Sequence, residues 1–514
     1  MQILTAEEVK QIDRLAVEEW NIPSSILMEN AGSNSAEVIK RRFDVSSAAV
    51  TVLAGTGNNG GDGLVVSRKL IDKGANVTTF ILGDRSSLSP ETERNAGILE
   101  KITDQLYFTD PTIDTELGEA LRGSDLIIDA LFGIGIQGPV RSRYLDLFDA
   151  INSSKATIIG LDLPSGLPAD TSEPEGACIN ADLTITMGFL KRSNLLFPAR
   201  SYCGDIEVVS VGYPNELIHE HGAGLMLTDD SMVSDLLPQR KPESHKGHFG
   251  RLLIVAGSPG MTGAATLAAS AGIRSGAGLV YLAVPESLNP VLETKLTETI
   301  TIPVPGNGGH FSPESLNSIR KAQENKDAII IGPGLSTEKG VVEFTVKLVQ
   351  DLRKPTVLDA DGLNALAQEN KTDLPQETVL TPHPGELGRL IDRSPQKIDK
   401  QRMDIAPEVA NRMGVVLVLK GVPTVVASPS GRSFVTDCPN SGLAKGGSGD
   451  VLTGLIGSFL AQGLSPLHSA IVSTWIHCRA GMAAAEKLDT ASMTPTDVIE
   501  NLHRPLKELN SNHG

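Results

Sequence analysis

Short apolar segments alternate with helical segments along most of this 514-residue chain. Glycine or turn residues bound the apolar segments, as is usual for strands of a buried sheet. Because a helical segment follows each one, the pattern predicts parallel sheets covered by helices on both faces. The predicted strands are 49–54, 77–82, 125–129 and 157–161 in the first half and 251–256, 279–284, 328–331, 356–358 and 415–419 in the second.

The strand series restarts at residue 251, and 514 residues exceed what one hydrophobic core usually organises. We therefore predict two α/β domains, 1–220 and 221–514. Residues 214–224 contain a proline, two histidines and clustered glycine, which is the composition of a connector.

The composition narrows the function classes. Hydrophobic residues make up 40% of the chain and charged residues 21%, as in soluble globular proteins. A net charge of -17 argues against general nucleic-acid binding, which needs a basic surface. The N-terminus lacks a signal-peptide pattern, and no uncharged apolar stretch reaches the roughly 18 residues of a membrane span. We expect a soluble protein that binds no membrane.

The four cysteines are spread along the chain without a C-x-x-C pair or metal-type spacing. We therefore expect neither a zinc site nor a disulfide framework, and a reducing cytoplasmic location. They are Cys178, Cys203, Cys438 and Cys478.

A glycine-rich stretch, Lys445 to Gly454, precedes the apolar helical run 455–460. Glycines let backbone N–H groups approach an anion, and a helix N-terminus attracts negative charge. Asp450 would then accept the proton of an attacking hydroxyl, and the helix end should favour its charged form. A glycine-rich turn before a buried helix is the alternative, and this stretch alone leaves both interpretations open.

Three polar loops follow predicted strands in the first half. Residues 54–63 carry Asn58, Asn59 and Asp62 among glycines and precede a helical segment at 64–73. Residues 133–138 match G-x-G-x-x-G, but a proline follows, so they form either a binding loop or a Rossmann helix start. The third loop is Asp162-Leu-Pro-Ser-Gly.

The carboxyl ends of parallel strands share one sheet edge, so the three loops should converge there. Asn59, Asp129 and Ser165 then offer oxygen ligands to a monovalent or divalent cation, and Asp162 is a candidate general acid or base. Taken singly, an aspartate that ends a strand is more often a turn former or a helix cap. Their convergence favours a binding site.

The first domain resembles the NAD(P)HX epimerases in Gly-Asn-Asn-Gly-Gly-Asp-Gly at 57–63, Asp129 with the 133–139 loop, and the 162–166 loop. The resemblance implies a Rossmann-like α/β/α sandwich that interconverts the R and S epimers of hydrated NADH and NADPH. It implies a catalytic role for Asp162 and K⁺ ligation by Asn59, Asp129 and Ser165. The substrate contacts it implies are Asn58, Asn59, Gly60, Gly61, Asp62, Gly133, Ile134, Gly135, Ile136, Gln137, Gly138, Pro139 and Asp162.

The second domain resembles the ADP- or ATP-dependent NAD(P)HX dehydratases of the ribokinase-like superfamily. The motifs are Lys246-Gly-His-Phe-Gly, Ala256-Gly-Ser, Gly263-Ala-Ala, Gly332-Pro-Gly-Leu, Asp359-Ala-Asp-Gly, Thr381-Pro-His-Pro-Gly-Glu and Lys420-Gly-Val-Pro-Thr. One departure is Lys445, where the family often has a small hydroxyl residue. By this resemblance Ala264, Gly334, His383 and Asp450 bind the S epimer. The nucleotide contacts are Lys420, Gly421, Val422, Pro423, Thr424, Gly446, Gly447, Ser448 and Gly449.

The fused pair resembles the bifunctional NAD(P)H-hydrate repair enzymes, an isomerase joined to a lyase that returns NAD(P)H, AMP or ADP, and phosphate. Asp450 would act as the catalytic base, Mg²⁺ would accompany ADP or ATP, and the chain is expected to be a homo-oligomer. Two alternatives stay open: the second domain is a small-molecule hydroxyl kinase, or the first is a non-catalytic ligand-binding module.

Overall fold

The computed structural model describes residues 1–136, 138–222, 224–370 and 373–511. The chain divides into two compact units, Met1–Ala223 and Gly224–Gly514, and each is described by itself. One predicted site residue, Gln137, lies outside the described residues.

The first unit alternates strands and helices, as the sequence predicts. Its strands are β1 (Ile3–Leu4), β2 (Ala49–Ala54), β3 (Asn76–Leu82), β4 (Leu106–Thr109), β5 (Leu126–Ala130), β6 (Thr157–Leu161), β7 (Leu183–Met187), β8 (Leu190–Lys191) and β9 (Asp205–Val209). Its helices are α1 (Ala6–Glu18), α2 (Ser24–Arg42), α3 (Asn58–Ile71), α4 (Pro90–Leu99), α5 (Thr115–Gly123), α6 (Leu145–Asn152) and α7 (Asn215–His221).

Seven of these strands form one parallel sheet in the order β4-β3-β2-β5-β6-β7-β9, among the described residues. Alternate residues of β5 enter separate cores, since Ile128 packs into one apolar cluster and Ile127 into another. Both faces of the sheet are therefore buried, as expected for parallel strands with crossover helices. The loops after β2, β5 and β6 meet at one edge because these strands are neighbours.

Helical structure differs from the sequence prediction at two places in this unit. The predicted connector contains α7, because Leu217 is fully buried in the apolar core of the unit. The helix expected at 64–73 begins at Asn58 instead, so the glycines of the 57–63 motif lie in its first turns.

The second unit has a larger sheet. Its strands are β10 (Leu225–Leu227), β11 (Arg251–Val255), β12 (Leu279–Pro285), β13 (Ile300–Val304), β14 (Ala328–Ile331), β15 (Thr356–Leu358), β16 (Thr378–Leu380), β17 (Val416–Leu419), β18 (Thr424–Ala427) and β19 (Ser433–Thr436). Its helices are α8 (Asp230–Leu236), α9 (Thr262–Arg274), α10 (Asn289–Lys295), α11 (Leu316–Gln323), α12 (Lys339–Gln350), α13 (Asp361–Gln368), α14 (Pro384–Ile391), α15 (Pro395–Lys400), α16 (Arg402–Met413), α17 (Ser448–Ala461), α18 (Pro466–Leu488), α19 (Pro495–Asn501) and α20 (His503–Ser511).

The described strands of this unit pair in the order β10-β19-β18-β17-β16-β15-β14-β11-β12-β13. Most of these strands are parallel, as predicted, but β18 is antiparallel to both β17 and β19. Only residues 428–432 connect β18 to β19, which is too short for the crossover that parallel strands require.

Helix α17 lies in the core of this unit and is buried continuously from Val451 to Ala461. A Cβ at Gly454 would lie 2.4 Å from the Ala268 carbonyl oxygen of α9, so the glycine permits close helix packing. The apolar run predicted at 455–460 is the second half of this helix, and its first turn contains Ser448, Gly449 and Asp450.

The expectation of no disulfide is wrong, because Cys438 and Cys478 are bonded, with Cα atoms 5.7 Å apart. The two residues are 40 positions apart, and the fold brings the loop after β19 against α18, a proximity that cysteine spacing does not reveal. The other two cysteines are free and buried. Among the described residues, no helix is long and apolar enough to cross a membrane.

Candidate functional sites

A cavity of about 1040 Å³ lies at the carboxyl edge of the first unit's sheet. Loops after β2, β5 and β6 line it together with residues of α1 and α2. The predicted site residues that line it are Asn58, Asn59, Asp62, Gly133, Ile134, Gly135, Ile136, Pro139 and Asp162. The 133–136 segment forms a turn and begins no helix, which favours the binding-loop interpretation.

Three predicted contacts, Gly60, Gly61 and Gly138, are absent from the described cavity lining. A Cβ at Gly60 would lie 1.8 Å from the Gly55 carbonyl oxygen, and one at Gly55 would lie 2.1 Å from the Leu131 oxygen. Gly60 therefore lets α3 start directly against the neighbouring strand ends. Its effect on the cavity is therefore indirect, through the position of α3.

Two of the predicted cation ligands, Asp129 and Ser165, are hydrogen-bonded to each other. Ser165 Oγ donates to Asp129 Oδ1 at 2.6 Å, and the Ser165 N–H donates to Oδ2 at 2.7 Å. Asn59 lies against Gly133, and its amide oxygen and nitrogen are buried without a partner among the described residues. An unpartnered amide oxygen fits a hard cation, which prefers oxygen ligands. Burial raises the pKa of Asp129 to about 6.

Asp162 forms a buried ion pair with Lys191, a residue that the sequence analysis missed. Lys191 is fully buried and also donates to Thr186 Oγ1 at 2.8 Å and to the Met187 carbonyl at 3.2 Å. Asp162 itself has a φ of 67°, an uncommon conformation for a non-glycine residue that often marks functional sites. In the sequence, the feature that could have indicated Lys191 is its position as a lysine inside the apolar run around residues 183–196.

Further acids surround this ion pair. Asp62 is buried, and burial followed by the charges of Asp162 and Asp13 raises its pKa well above the ordinary value. Asp13 of α1 lines the cavity and accepts a hydrogen bond from the Tyr213 hydroxyl. Sequence reasoning missed both Asp13 and Tyr213, since neither lies in a recognisable motif.

In the second unit, the candidate site also follows adjacent parallel strand ends. The buried carboxylate of Asp359, directly after β15, accepts hydrogen bonds from Lys420 Nζ at 2.8 Å, Thr381 Oγ1 at 2.8 Å and Thr453 Oγ1 at 2.7 Å. Lys420 also lies 3.6 Å from Glu386. Asp359 thus connects the ends of three strands to the first turns of α17.

Asp450 lies in the first turn of α17, near this cluster. The expectation that the helix end favours its charged form is wrong. Burial, followed by the charge of Asp359, raises the pKa of Asp450 to about 7, although Lys420 opposes the shift. A carboxylate that titrates near neutral pH is well suited to accept a proton.

The predicted nucleotide segments are adjacent. A Cβ at Gly449 would lie 3.3 Å from Lys420 Nζ, so the ammonium is beside the start of α17. Ser448 Oγ is buried at this helix end without a partner among the described residues. A helix N-terminus, an unpartnered hydroxyl and an ammonium together fit a phosphate. The buried Arg402 supports the 420–424 loop by donating to the Pro423 carbonyl at 2.6 Å.

The Lys445 ammonium is bound by backbone carbonyl oxygens. Its ammonium donates to the carbonyl oxygens of Ala491 at 2.6 Å and Met493 at 2.5 Å. The departure from the family pattern therefore ties the glycine loop to the segment before α19.

The remaining predicted residues lie at two places. A Cβ at Gly334 would be 3.2 Å from the Ala264 Cβ, so these two residues are in contact. His383 caps α14, accepting from the Gly385 N–H at 3.0 Å, and its Nε2 lies 3.5 Å from Glu386. Burial is the main cause of the lowered pKa of His383.

Comparison with known proteins identifies the family. A family described as NAD(P)H-hydrate dehydratase matches residues 252–504, and one described as YjeF-related protein N-terminus matches residues 24–193. A bifunctional NAD(P)H-hydrate repair enzyme from Moorella thermoacetica is 38% identical over 99% of this chain and 97% of its own length. This chain belongs to the family of bifunctional NAD(P)H-hydrate repair enzymes. The predicted resemblance is confirmed.

The Escherichia coli K12 repair enzyme is 34% identical over 97% of this chain and 93% of its own length. A ribokinase-like superfamily protein from Enterococcus faecalis V583 matches 56% of this chain and 96% of its own, with 24% identity and a TM-score of 0.50. That match confirms the predicted ribokinase-like fold. Similarity to repair enzymes along the whole chain supports the bifunctional interpretation over a kinase joined to a non-catalytic module.

Proposed function

We propose that this chain repairs hydrated NADH and NADPH with two active sites. The first unit interconverts the R and S epimers, and the second dehydrates the S epimer with ADP or ATP, releasing AMP or ADP and phosphate. The observation that carries the proposal is the cluster of Asp450, Lys420 and Asp359 at the start of α17. It combines a base that titrates near pH 7 with donors for a phosphate.

The hydroxyl on carbon 6 of the hydrated ring leaves poorly as hydroxide, and phosphorylation converts it into a good leaving group. Asp450 accepts the hydroxyl proton as the oxygen attacks the terminal phosphorus of the nucleotide. The N–H groups at the start of α17 and the Lys420 ammonium hold the phosphate oxygens. The ring nitrogen then supplies the electron pair that expels phosphate, and loss of a proton from carbon 5 restores NAD(P)H.

Magnesium bound with the nucleotide would supply positive charge that neutralises the phosphate oxygens. Lys420 to Thr424 and Gly446 to Gly449 would hold that nucleotide, while Ala264, Gly334 and His383 would contact the hydrated dinucleotide. Asp359 keeps the Lys420 ammonium next to Gly449.

In the first unit, Asn58 to Asp62 and the 133–139 loop would bind the hydrated dinucleotide, and Asp162 would move a proton during epimerisation. We also propose that Asn59, Asp129 and Ser165 hold K⁺, on the strength of the unpartnered Asn59 oxygen. The expected homo-oligomer and cytoplasmic location stay proposals.

A mixture of both epimers, incubated with ADP, with ATP or without nucleotide, tests the function. We expect nucleotide-dependent recovery of dihydronicotinamide absorbance from the whole mixture, with one phosphate released per NAD(P)H. Asp162→Ala should leave the R epimer unconverted, and Asp450→Asn should leave both. A stable phosphorylated alcohol as the product would contradict the proposal and indicate a kinase.

A further inference from the structure

A second carboxylic acid in the first unit's cavity is held by a hydrogen bond between distant parts of the chain. Asp13 lies on α1, and Tyr213 lies just after β9, 200 positions later. The Tyr213 ring stacks on Phe189 with centroids 5.5 Å apart and an interplanar angle of 9°. Phe189 lies between β7 and β8, so this stack links Asp13 to the segment that carries Lys191.

Asp13 and Asp162 both line the cavity, and their charges interact. Asp162 is the carboxylate member of the ion pair with Lys191. The charge of the Lys191 ammonium also acts on Asp13 and on Asp62. Burial and the charge of Asp162 raise the pKa of Asp13, while Tyr213 and Lys191 oppose the shift.

Resting on the epimerase function proposed above, we propose that Asp13, oriented by Tyr213, is a second catalytic residue that acts as the acid while Asp162 acts as the base. Asp162 is paired with the Lys191 ammonium, whereas Asp13 accepts from the neutral hydroxyl of Tyr213. Two acids in such unequal surroundings can divide the acid and base roles of a proton transfer. The hydroxyl of Tyr213 positions the Asp13 carboxyl group and does not itself transfer the proton.

The proton transfers balance in a ring-opening route. Asp162 removes the proton from the carbon 6 hydroxyl, and the oxygen electrons form a carbonyl as the bond from carbon 6 to the ring nitrogen breaks. The electron pair of the broken bond goes to the nitrogen, which takes a proton from Asp13. Rotation about the bond between carbons 5 and 6 exposes the other carbonyl face. Ring closure then reverses both transfers and regenerates the initial protonation states.

Asp13→Asn and Tyr213→Phe in the full chain test this inference, with Glu18→Gln on the exposed face of α1 as the matched control. Omitting nucleotide isolates epimerisation, which chromatography of the R and S epimers follows. We expect Asp13→Asn to lower the epimerisation kcat about 100-fold, with KM nearly unchanged. Dehydration of the S epimer by the same variant should keep the wild-type rate.

The pH profile separates proton transfer from a structural role. An acid must hold its proton, so wild-type epimerisation should fall as pH rises through the pKa of Asp13. Tyr213→Phe keeps the ring stack but removes the hydrogen bond that lowers the pKa of Asp13, so this alkaline limb should move to higher pH. The pH of the alkaline limb also depends on the groups that face Asp13, which are Asp62, Asp162, Lys191 and Tyr213.

Unchanged kcat in Asp13→Asn, or an alkaline limb that stays in place in Tyr213→Phe, would overturn the inference. Absence of epimerisation in the wild-type chain would instead refute the epimerase function and this inference with it. Loss of activity in Glu18→Gln to the same extent would also overturn it, because a general disturbance of α1 would then account for the effect.

Discussion

Lys420 Nζ and Asp359 Oδ1 lie 2.8 Å apart, and the Asp359 side chain is almost fully buried. Asp359 also accepts from Thr453 of α17, so one carboxylate holds both the ammonium and the helix that carries Asp450. The pair therefore controls where the positive charge of the second site lies.

Asp359→Asn should impair dehydration and destabilise the second unit. Removing one partner of a buried ion pair costs up to about 3 kcal/mol, and the Lys420 ammonium would keep Glu386, 3.6 Å away, as its nearest acid. Urea unfolding and the dehydration rate measure the two effects. Glu298→Gln, an exposed acid of the same unit, is the control and should change neither. Equal stability of Asp359→Asn and wild type would contradict this account.

The pH dependence of dehydration should report Asp450. The base must be deprotonated to accept a proton, and its pKa is about 7, so the rate should fall as pH decreases through about 7. Asp359→Asn removes a charge that raises this pKa, so its acidic limb should lie at lower pH. Rates measured at saturating nucleotide across the pH range test both statements. A limb unchanged by the substitution would exclude Asp359 as a cause of the shift.

Lys191→Met should abolish epimerisation and destabilise the first unit by about 3 kcal/mol, because Asp162 would remain buried without its cation. Urea unfolding combined with epimer chromatography measures both. Lys101→Met changes an exposed lysine of the same unit and should behave as wild type. Full epimerase activity in Lys191→Met would show that the ion pair is dispensable.

Lys445→Met should leave nucleotide affinity almost unchanged, because the Lys445 ammonium binds the carbonyl oxygens of Ala491 and Met493. Lys420→Met should instead weaken ADP binding by about tenfold or more, through loss of a charge-assisted contact. Isothermal titration calorimetry with ADP compares the variants. A weakening in Lys445→Met as large as that in Lys420→Met would mean that the loop lysine contacts phosphate.

Replacing KCl by choline chloride should lower the melting temperature of the first unit and its epimerisation rate, because a ligand that binds only the folded state stabilises it. Asn59→Ala should remove this difference, since Asn59 supplies the unpartnered oxygen. Differential scanning calorimetry in the two salts provides a readout that does not depend on activity. Identical melting curves for the wild type would argue against a K⁺ site.

The sequence predicted the strands that carry the sites, because buried parallel strands are continuous apolar runs ended by polar loops. Val416–Leu419 and Thr356–Leu358 are examples, and Asp359 follows the second of them directly. The antiparallel strand β18 was missed because Thr424 belongs to a motif that resembles a ligand loop and also begins a strand.

Within the sites, the motif residues were predictable and their partners were not. Asp162 follows a strand in a recognisable loop, whereas Lys191 meets it only through the fold. The protonation of Asp450 was also beyond sequence reasoning, since it depends on burial and on Asp359, 91 positions earlier. The position of Asp450 at a helix N-terminus alone predicted a pKa shift in the wrong direction.

The hydrogen bond between Tyr213 and Asp13 also indicates how much of the chain a functional first unit must contain. Both residues, and the edge strand β9, lie outside the 24–193 range that the family shares. A fragment cut to that range would keep the glycine loops and the ion pair while losing one acid and its anchor. Excision for separate study should therefore cover the whole unit Met1–Ala223, because the recognisable motif region is smaller than the catalytic unit.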